Sequence, residues 1–136
     1  MAEKLENHKP SSLLGVILGR TTMALKKILI VDDEEDLRAL LKAFLIPLNY
    51  DVFTASTLGE GLKLVPQIKP DIIFLDNNLP DGLGWDKIDV IQQQVPDCKI
   101  NLISAFKFIP EKLRGRESVR LIEKPISYSM QRTYLD

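Results

Sequence analysis

The chain has 136 residues and a formal net charge of -1, with 45% hydrophobic and 27% charged residues. These values are typical of one globular domain with a sizeable core, and they give no basic field that would predict direct binding to nucleic acid. The single cysteine, Cys98, excludes an internal disulfide, and no apolar stretch approaches the length of a membrane span, so we expect a cytoplasmic protein without membrane association.

Residues 1–24 do not share the alternation of strands and helices that follows them. Their apolar stretch, residues 13–19, is short and contains two glycines, and mixed acidic and basic residues precede it. This makes a poor signal peptide. It leaves a flexible leader, an extra helix on the domain, or sequence upstream of a natural start at Met23. We favour a loosely ordered leader, followed by a domain over residues 25–136.

The domain begins with an apolar run at residues 28–31, which predicts a first strand ending in Asp32 and Asp33. Beyond it, apolar residues recur at three- and four-residue steps, the spacing of one face of an amphipathic helix. We expect this helix to end near Pro47. The residues on its apolar face are Leu37, Leu40, Leu41, Phe44, Leu45 and Leu48.

A second strand is predicted over residues 50–55, where polar residues interrupt the apolar ones. Thr57 and Glu60 then have the spacing of a capping box, which predicts the start of a second helix. Leu62 and Val65 continue its apolar face, and we expect Pro66 to end it.

The third strand, residues 72–75, ends at Asp76. A carboxylate at the carboxyl end of a buried parallel strand points into the crevice where open α/β sheets bind ligands. Because the first strand also ends in acid, Asp32, Asp33 and Asp76 should lie close together. Charges of one sign repel at such distances unless a cation or protons intervene. The arrangement therefore predicts a hard divalent ion, Mg²⁺.

The second half of the domain continues the alternation with shorter helices. Its apolar runs predict a third helix from Trp85 to Val95, a fourth strand over residues 99–104, only a short fourth helix over 110–114, a fifth strand over 118–123 and a short last helix over 127–135. Strand four ends in Ser104 and strand five is followed by Lys124, so a hydroxyl and an ammonium also reach the carboxyl ends of the strands. Together with the acids they describe a place to hold a metal and a phosphoryl group, with Asp76 as the nucleophile.

In this order the motifs resemble the receiver domain of two-component response regulators, over roughly residues 26–136. The resemblance is carried by Asp32-Asp33, by Asp76 with Leu79-Pro80 and Gly82 after it, by Ser104-Ala105 and by Lys124-Pro125. It implies a flavodoxin-like (βα)5 fold, a doubly wound parallel sheet of order 2-1-3-4-5, here with shortened helices four and five. The near-continuous apolar runs of strands one and three, and the interrupted strands two and five, agree with that order.

The resemblance also implies roles for individual residues. Asp76 would accept the phosphoryl group from a sensor histidine kinase or a phosphotransfer protein. Asp33 would bind Mg²⁺ directly, Asp32 directly or through water, and Asp76 and the backbone carbonyl of Asn78 would complete the ligands. Lys124 would pair with the carboxylate and then with the phosphoryl oxygens.

Further implied features concern the switch and its output. Ser104 and the backbone amide of Ala105 would bind the phosphoryl group, and Pro125 is a candidate for a cis peptide bond. The face of helix four, strand five and helix five would then signal to an unknown downstream protein. A homodimer through this face stays open.

The chain departs from the family's pattern in three places. Leu121 stands where receivers often carry Tyr or Phe, so the usual aromatic switch is absent. The stretch before Lys124 is short and contains Phe106, Phe108 and Ile109, which either pack under a shortened helix or form a hydrophobic patch for a partner. The chain ends eleven residues after Pro125, which fits a single-domain regulator or a piece of a longer protein.

These residues are compatible with three functions. The first is a phosphoacceptor signalling module, not an enzyme, with at most slow autodephosphorylation. The second is a Mg²⁺-dependent aspartyl-phosphate phosphatase, which commonly needs an acid two residues after the nucleophile, where this chain has Asn78. The third is a degenerate receiver that acts as an interaction scaffold without phosphate. Because all the chemical residues are present, the first is favoured.

Overall fold

A computed structural model describes residues 24–126 and 132–136 of the chain. Five parallel strands form one sheet in the order β2-β1-β3-β4-β5, which confirms the predicted flavodoxin-like topology. The predicted leader lies outside the described residues, apart from Ala24, as does the first part of the predicted last helix. The strands are β1 (Lys27–Val31), β2 (Asp51–Ala55), β3 (Ile72–Asp76), β4 (Lys99–Ser104) and β5 (Val119–Glu123).

Three α-helices are described: α1 (Glu35–Leu45), α2 (Leu58–Ile68) and α3 (Ile88–Gln94). The predicted end of the second helix at Pro66 is wrong, because α2 continues for two residues to bury Ile68. Pro66 lies on the solvent side, and the helix ends where Lys69 adopts a left-handed conformation with φ 50°. The predicted cap is confirmed, since Thr57 Oγ1 accepts a hydrogen bond from the Glu60 amide at 3.1 Å.

The core lies on both faces of the sheet, because successive side chains of a strand point to opposite faces. One face carries Leu29 and Val31 of β1 against α2 and α3. The other carries Ile28 and Ile30 against α1 and the C-terminal residues. In α1 the buried residues are Leu37, Leu41 and Leu45, whereas Leu40, which was assigned to the apolar face, is 43% exposed.

The fourth helix is short, as predicted, whereas the third, predicted over residues 85–95, is an α-helix only in its second part. The third helix begins with a 3-10 turn (Gly84–Lys87) before α3, and the predicted fourth helix is a 3-10 turn (Glu111–Leu113). The described part of the last helix is a 3-10 turn (Arg132–Leu135) that buries Leu135. Within residues 24–126 and 132–136, no helix combines the length and the apolar character needed to cross a membrane.

Candidate functional site

Three carboxylates meet at the carboxyl edge of the sheet, where β1 and β3 end side by side. Val31 pairs with Leu75 in the parallel register, so the acids that follow these residues are brought together. One ligand oxygen each from Asp32, Asp33 and Asp76 lies within 4.8 Å of the others. Asp32 and Asp76 are buried, at 0% and 2% exposure, while Asp33 is exposed.

Asp32 is held by hydrogen bonds from the backbone just before α1 and from a side chain in the first turn of α1. Its Oδ1 accepts a hydrogen bond from the Glu34 amide at 2.7 Å, and its backbone oxygen accepts one from Arg38 Nη1 at 2.8 Å. Its Oδ2 is buried without a hydrogen-bond partner among the described residues. Burial raises the pKa of Asp32 to about 6, and the nearby charge of Asp76 adds to this increase.

A buried carboxylate oxygen without a partner is uncommon in a folded protein, and a cation or a water would satisfy it. Oxygen ligands of negative charge are those that Mg²⁺ and Ca²⁺ prefer. The donor set of Asp32, Asp33 and Asp76 therefore fits a hard divalent cation.

Asp76 receives two donors on the same oxygen. Its Oδ1 accepts a hydrogen bond from the Asn78 amide at 3.2 Å and lies 3.5 Å from Lys124 Nζ. Burial raises the pKa of Asp76, whereas the ammonium of Lys124 and the Asn78 amide lower it. Lys124 Nζ also lies 3.9 Å from Glu34 Oε1, so this lysine stands between two acids.

Ser104 ends β4 at the same edge, one residue beyond the partner of Asp76 in the register, Ile103. Its Oγ accepts a hydrogen bond from the Phe106 amide at 3.2 Å, and its backbone oxygen accepts one from the Lys124 amide at 2.8 Å. The carriers of the hydroxyl and the ammonium are thus joined through the backbone. Ala105 is exposed beside them, and the Lys124–Pro125 peptide bond is cis.

The loop after Asp76 is a small hairpin in which Asn78–Leu79 pairs with Gly82–Leu83. Asp81 projects from its tip and accepts hydrogen bonds from the amides of Leu58 and Gly59, both at 2.8 Å, at the start of α2. These two bonds lower the pKa of Asp81. Asp81 thus caps α2 and joins the hairpin to it, a contact that the sequence pattern does not predict.

The residues that depart from the family's pattern separate into packed and exposed ones. Leu121 and Ile109 are partly buried against the core. Phe106 is 71% exposed and Phe108 is 50% exposed, so packing under a shortened helix does not describe these two side chains. The ring of Phe108 meets that of Trp85 edge-on, with centroids 5.6 Å apart.

Four residues near the site were not singled out from the sequence: Glu34, Arg38, Asn77 and Asp81. Asp81 and Arg38 act through contacts between elements that sequence spacing does not encode. For Asn77 the sequence did contain a signal, because an amide side chain directly follows the acid that ends a strand. In the structure this side chain is buried, at 4% exposure.

Comparisons with known proteins agree with this geometry. The family model described as response regulator receiver domain matches residues 28–132. The alkaline phosphatase synthesis transcriptional regulatory protein PhoP of Bacillus subtilis is 46% identical over 92 residues, 68% of this chain and 38% of PhoP. The response regulator protein PilR of Pseudomonas aeruginosa is 37% identical over 84 residues, 62% of this chain and 19% of PilR. The chain therefore spans well under half the length of either relative.

Solved structures of response regulators are also similar to this fold. The non-phosphorylated receiver domain of HemR from Leptospira biflexa superposes with a TM-score of 0.64 at 34% identity, over 74% of this chain and 82% of that one. TrrA of Thermotoga maritima, solved in complex with Mg²⁺-BeF, superposes with a TM-score of 0.60 at 28% identity, over 76% of this chain and 92% of that one.

Proposed function

The chain belongs to the response regulator receiver family, and from this premise we propose that Asp76 accepts a phosphoryl group from a phosphohistidine donor. The observation that carries the proposal is the placement of a buried carboxylate between two further acids and the ammonium of Lys124, 3.5 Å away. The acids provide the metal ligands and the lysine provides the positive charge that phosphoryl transfer requires.

The transfer is a displacement at phosphorus. The ionised carboxylate of Asp76 forms the new P–O bond, the P–N bond of the donor breaks, and its electron pair returns to the imidazole nitrogen. Lys124 and the Asn78 amide both donate to Oδ1, so they fix the orientation of the carboxylate before the donor arrives. Such preorganisation is a large part of catalysis in phosphoryl transfer, where little other covalent chemistry is required.

Asp32, Asp33, Asp76 and the backbone carbonyl of Asn78 would hold Mg²⁺. When bound, the ion neutralises charge on the phosphoryl oxygens. This assignment is supported by the unpartnered buried Oδ2 of Asp32 and by the Mg²⁺ complex of the similar TrrA.

The phosphoryl group then acts on Ser104, the Ala105 amide and Lys124. It adds nearly two negative charges and strong acceptor oxygens at the edge of the sheet. Because the Lys124 amide donates to the Ser104 backbone oxygen, a displacement of one residue is transmitted to the other. We expect the modification to shift the population of the loop after β4, which would change how β5 and its neighbours bind a downstream protein.

The donor protein would dock beside the site. A groove of about 430 Å³ lies between α1 and the residues after β5. Its apolar lining comes from Leu37, Leu40, Pro125 and Ile126, and its charged rim from Glu34, Asp36 and Lys124. A sensor histidine kinase or a phosphotransfer protein is the donor we propose, and the exposure of Leu40 fits an interface there.

We propose no turnover of an external substrate beyond slow loss of the chain's own phosphate. An aspartyl-phosphate phosphatase would need a general acid or base two residues after the nucleophile. Asn78 holds that place and cannot transfer a proton in this way.

Intact mass after incubation with acetyl phosphate and Mg²⁺ tests the proposal. We expect one phosphoryl group on the wild-type chain, and none on Asp76→Asn or after removal of the metal with EDTA. Asp97→Asn is the matched control, because Asp97 precedes β4 at the opposite edge of the sheet, and it should be labelled like the wild type. A wild-type chain that binds no Mg²⁺ and gains no phosphoryl group would instead favour an interaction scaffold.

A further inference from the structure

Asn77, directly after Asp76, is buried and makes three hydrogen bonds that no sequence motif assigns to it. Its amide donates to the Ile103 backbone oxygen at 2.9 Å, and its own backbone oxygen accepts from the Gly84 amide at 2.9 Å. Its side-chain Oδ1 accepts from the Trp85 amide at 3.1 Å. One residue therefore joins β4 to the start of the 3-10 turn Gly84–Lys87.

The side-chain bond closes the hairpin that follows the phosphoacceptor. Amides at the start of a helical turn have no partner within the turn, so they need an acceptor from elsewhere. Asn77 supplies acceptors to two of them in succession, the backbone oxygen to Gly84 and Oδ1 to Trp85. An apolar side chain at this position would leave the Trp85 amide unsatisfied in a part-buried place.

Closing the hairpin here also determines how closely it approaches the site. At Gly84 a Cβ atom would lie 2.7 Å from the Asp76 backbone oxygen and 2.9 Å from Leu75 Cγ. The turn is thus in contact with the peptide of the phosphoacceptor itself. The peptide between Asn77 and Asn78 is fixed by Gly84, and the next carbonyl along the chain is that of Asn78.

We propose that Asn77 is a positioning residue for the metal ligand carbonyl of Asn78, an inference that rests on the proposed function of the site. Its side chain holds the Trp85 amide, and this bond sets the orientation of the peptides that follow Asp76. Outer hydrogen-bond partners that orient metal ligands commonly change metal affinity by about 10–100-fold when they are removed.

The same bond connects the site to an aromatic contact. The ring of Trp85 meets that of Phe108, in the loop that follows β4, and the Phe106 amide of that loop donates to Ser104 Oγ. The turn that follows the hairpin and the loop that follows β4 therefore meet at this ring contact. Trp85 is the single tryptophan of the chain, so its fluorescence reports on this link without labelling.

The test compares Asn77→Leu with Asn101→Leu. Asn101 is the other buried asparagine among the described residues, and its Nδ2 donates to the Tyr134 backbone oxygen at 2.8 Å, away from the carboxyl edge. Both changes remove a part-buried hydrogen bond of an asparagine side chain, so both variants are compared with the wild type at a temperature where all three are folded. Only Asn77→Leu should weaken Mg²⁺ binding, by about tenfold in a calorimetric titration. It should also speed hydrogen exchange of the Trp85 amide and change the Trp85 emission.

An Mg²⁺ affinity of Asn77→Leu within about twofold of the wild type, at a temperature where both are folded by circular dichroism, would overturn the inference. Asn77→Ala is measured in parallel and decides the question in the same way if leucine prevents folding. Mg²⁺ binding is read without phosphorylation, so the two proposals fail separately. A wild type that binds Mg²⁺ but gains no phosphoryl group would refute the proposed function alone.

Discussion

The connection from β3 to β4 and the connection from β4 to β5 both link neighbouring parallel strands, but only the first contains an α-helix. The first buries Ile88 and Ile91 of α3 in the core, at 0% and 2% exposure. The second, residues 105–118, contains the 3-10 turn Glu111–Leu113 and buries Leu113 at 1% exposure. A parallel crossover needs about a dozen residues, so this length suffices without a full helix.

The β4–β5 connection has no α-helix that could pack on the core, and its polar side chains contact α3 instead. Arg116 Nη1 lies 2.7 Å from both Asp89 Oδ1 and Gln92 Oε1, and Gln92 Nε2 donates to Ser118 Oγ at 2.9 Å. Lys112 Nζ adds a longer ion pair of 3.6 Å with Asp89. Ion pairs near solvent stabilise weakly, whereas buried apolar side chains stabilise strongly. The β4–β5 connection, residues 105–118, has only one fully buried apolar side chain, Leu113, beside the partly buried Ile109, so it should open locally before the sheet does.

The largest effect is expected from removing that anchor. Leu113→Ala should lower the free energy of unfolding by about 2–5 kcal/mol, because it deletes buried apolar atoms and leaves a cavity. Urea unfolding measures the loss. Hydrogen exchange of residues 105–118 should accelerate more than that of β1 and β3.

Leu45→Ala in α1 is the matched control, since Leu45 is also fully buried. It should lower the free energy of unfolding within the same range but leave the exchange of residues 105–118 unchanged, because these residues exchange by local opening. A loss of less than about 1 kcal/mol in Leu113→Ala would show that Leu113 does not anchor the β4–β5 connection.

A smaller and local effect is expected from Arg116→Ala. It removes the ion pair with Asp89 and the hydrogen bond to Gln92, so residues 105–118 should exchange faster while the melting temperature changes little. High salt screens exposed ion pairs and should reproduce part of this acceleration in the wild type. Lys107→Ala is the control, because Lys107 is 81% exposed and pairs with Glu123 instead. Unchanged exchange in Arg116→Ala would show that the polar contacts do not hold the connection.

The first half of the domain was more predictable from sequence than the second. The apolar runs at residues 28–31 and 72–75 are long enough to identify buried strands, and Thr57 with Glu60 identified the start of α2. The end of α2 was predicted wrongly, because a proline on the exposed side stops a helix less strongly than burial of Ile68 extends it. In residues 105–118 the pattern is weak, and the contacts of Arg116 with α3 join residues more than twenty positions apart.

In the site, too, some features can be predicted from the sequence and others cannot. That acids follow two adjacent parallel strands can be read from the sequence, and the structure places their oxygens within 4.8 Å. The supporting contacts cannot be read in this way. Asp81 reaches α2 across 22 and 23 residues, and Asn77 reaches Trp85 across eight, by a turn whose closure depends on tertiary packing. Local patterns predict which residues lie at the ends of the strands. The residues that orient these site residues can be identified only from contacts between elements.

The smallest effect is expected from the pH dependence of the ion pair between Asp89 and Arg116. Arg116, and more weakly Lys112, hold the pKa of Asp89 below its usual value of 3.8. A carboxyl group with a lowered pKa in the folded state contributes stability that is present above its unfolded pKa and is lost as pH falls through the folded pKa. The difference in free energy of unfolding between wild type and Asp89→Asn should therefore be constant above pH ~4 and shrink below it. Because burial raises the pKa of Asp32 and Asp76, their titration has the opposite sign, but it is common to both proteins and cancels in the difference. The same series in the Arg116→Ala background should be nearly flat. A difference that persists unchanged into strong acid would mean that Asp89 supports the connection through its shape and not its charge.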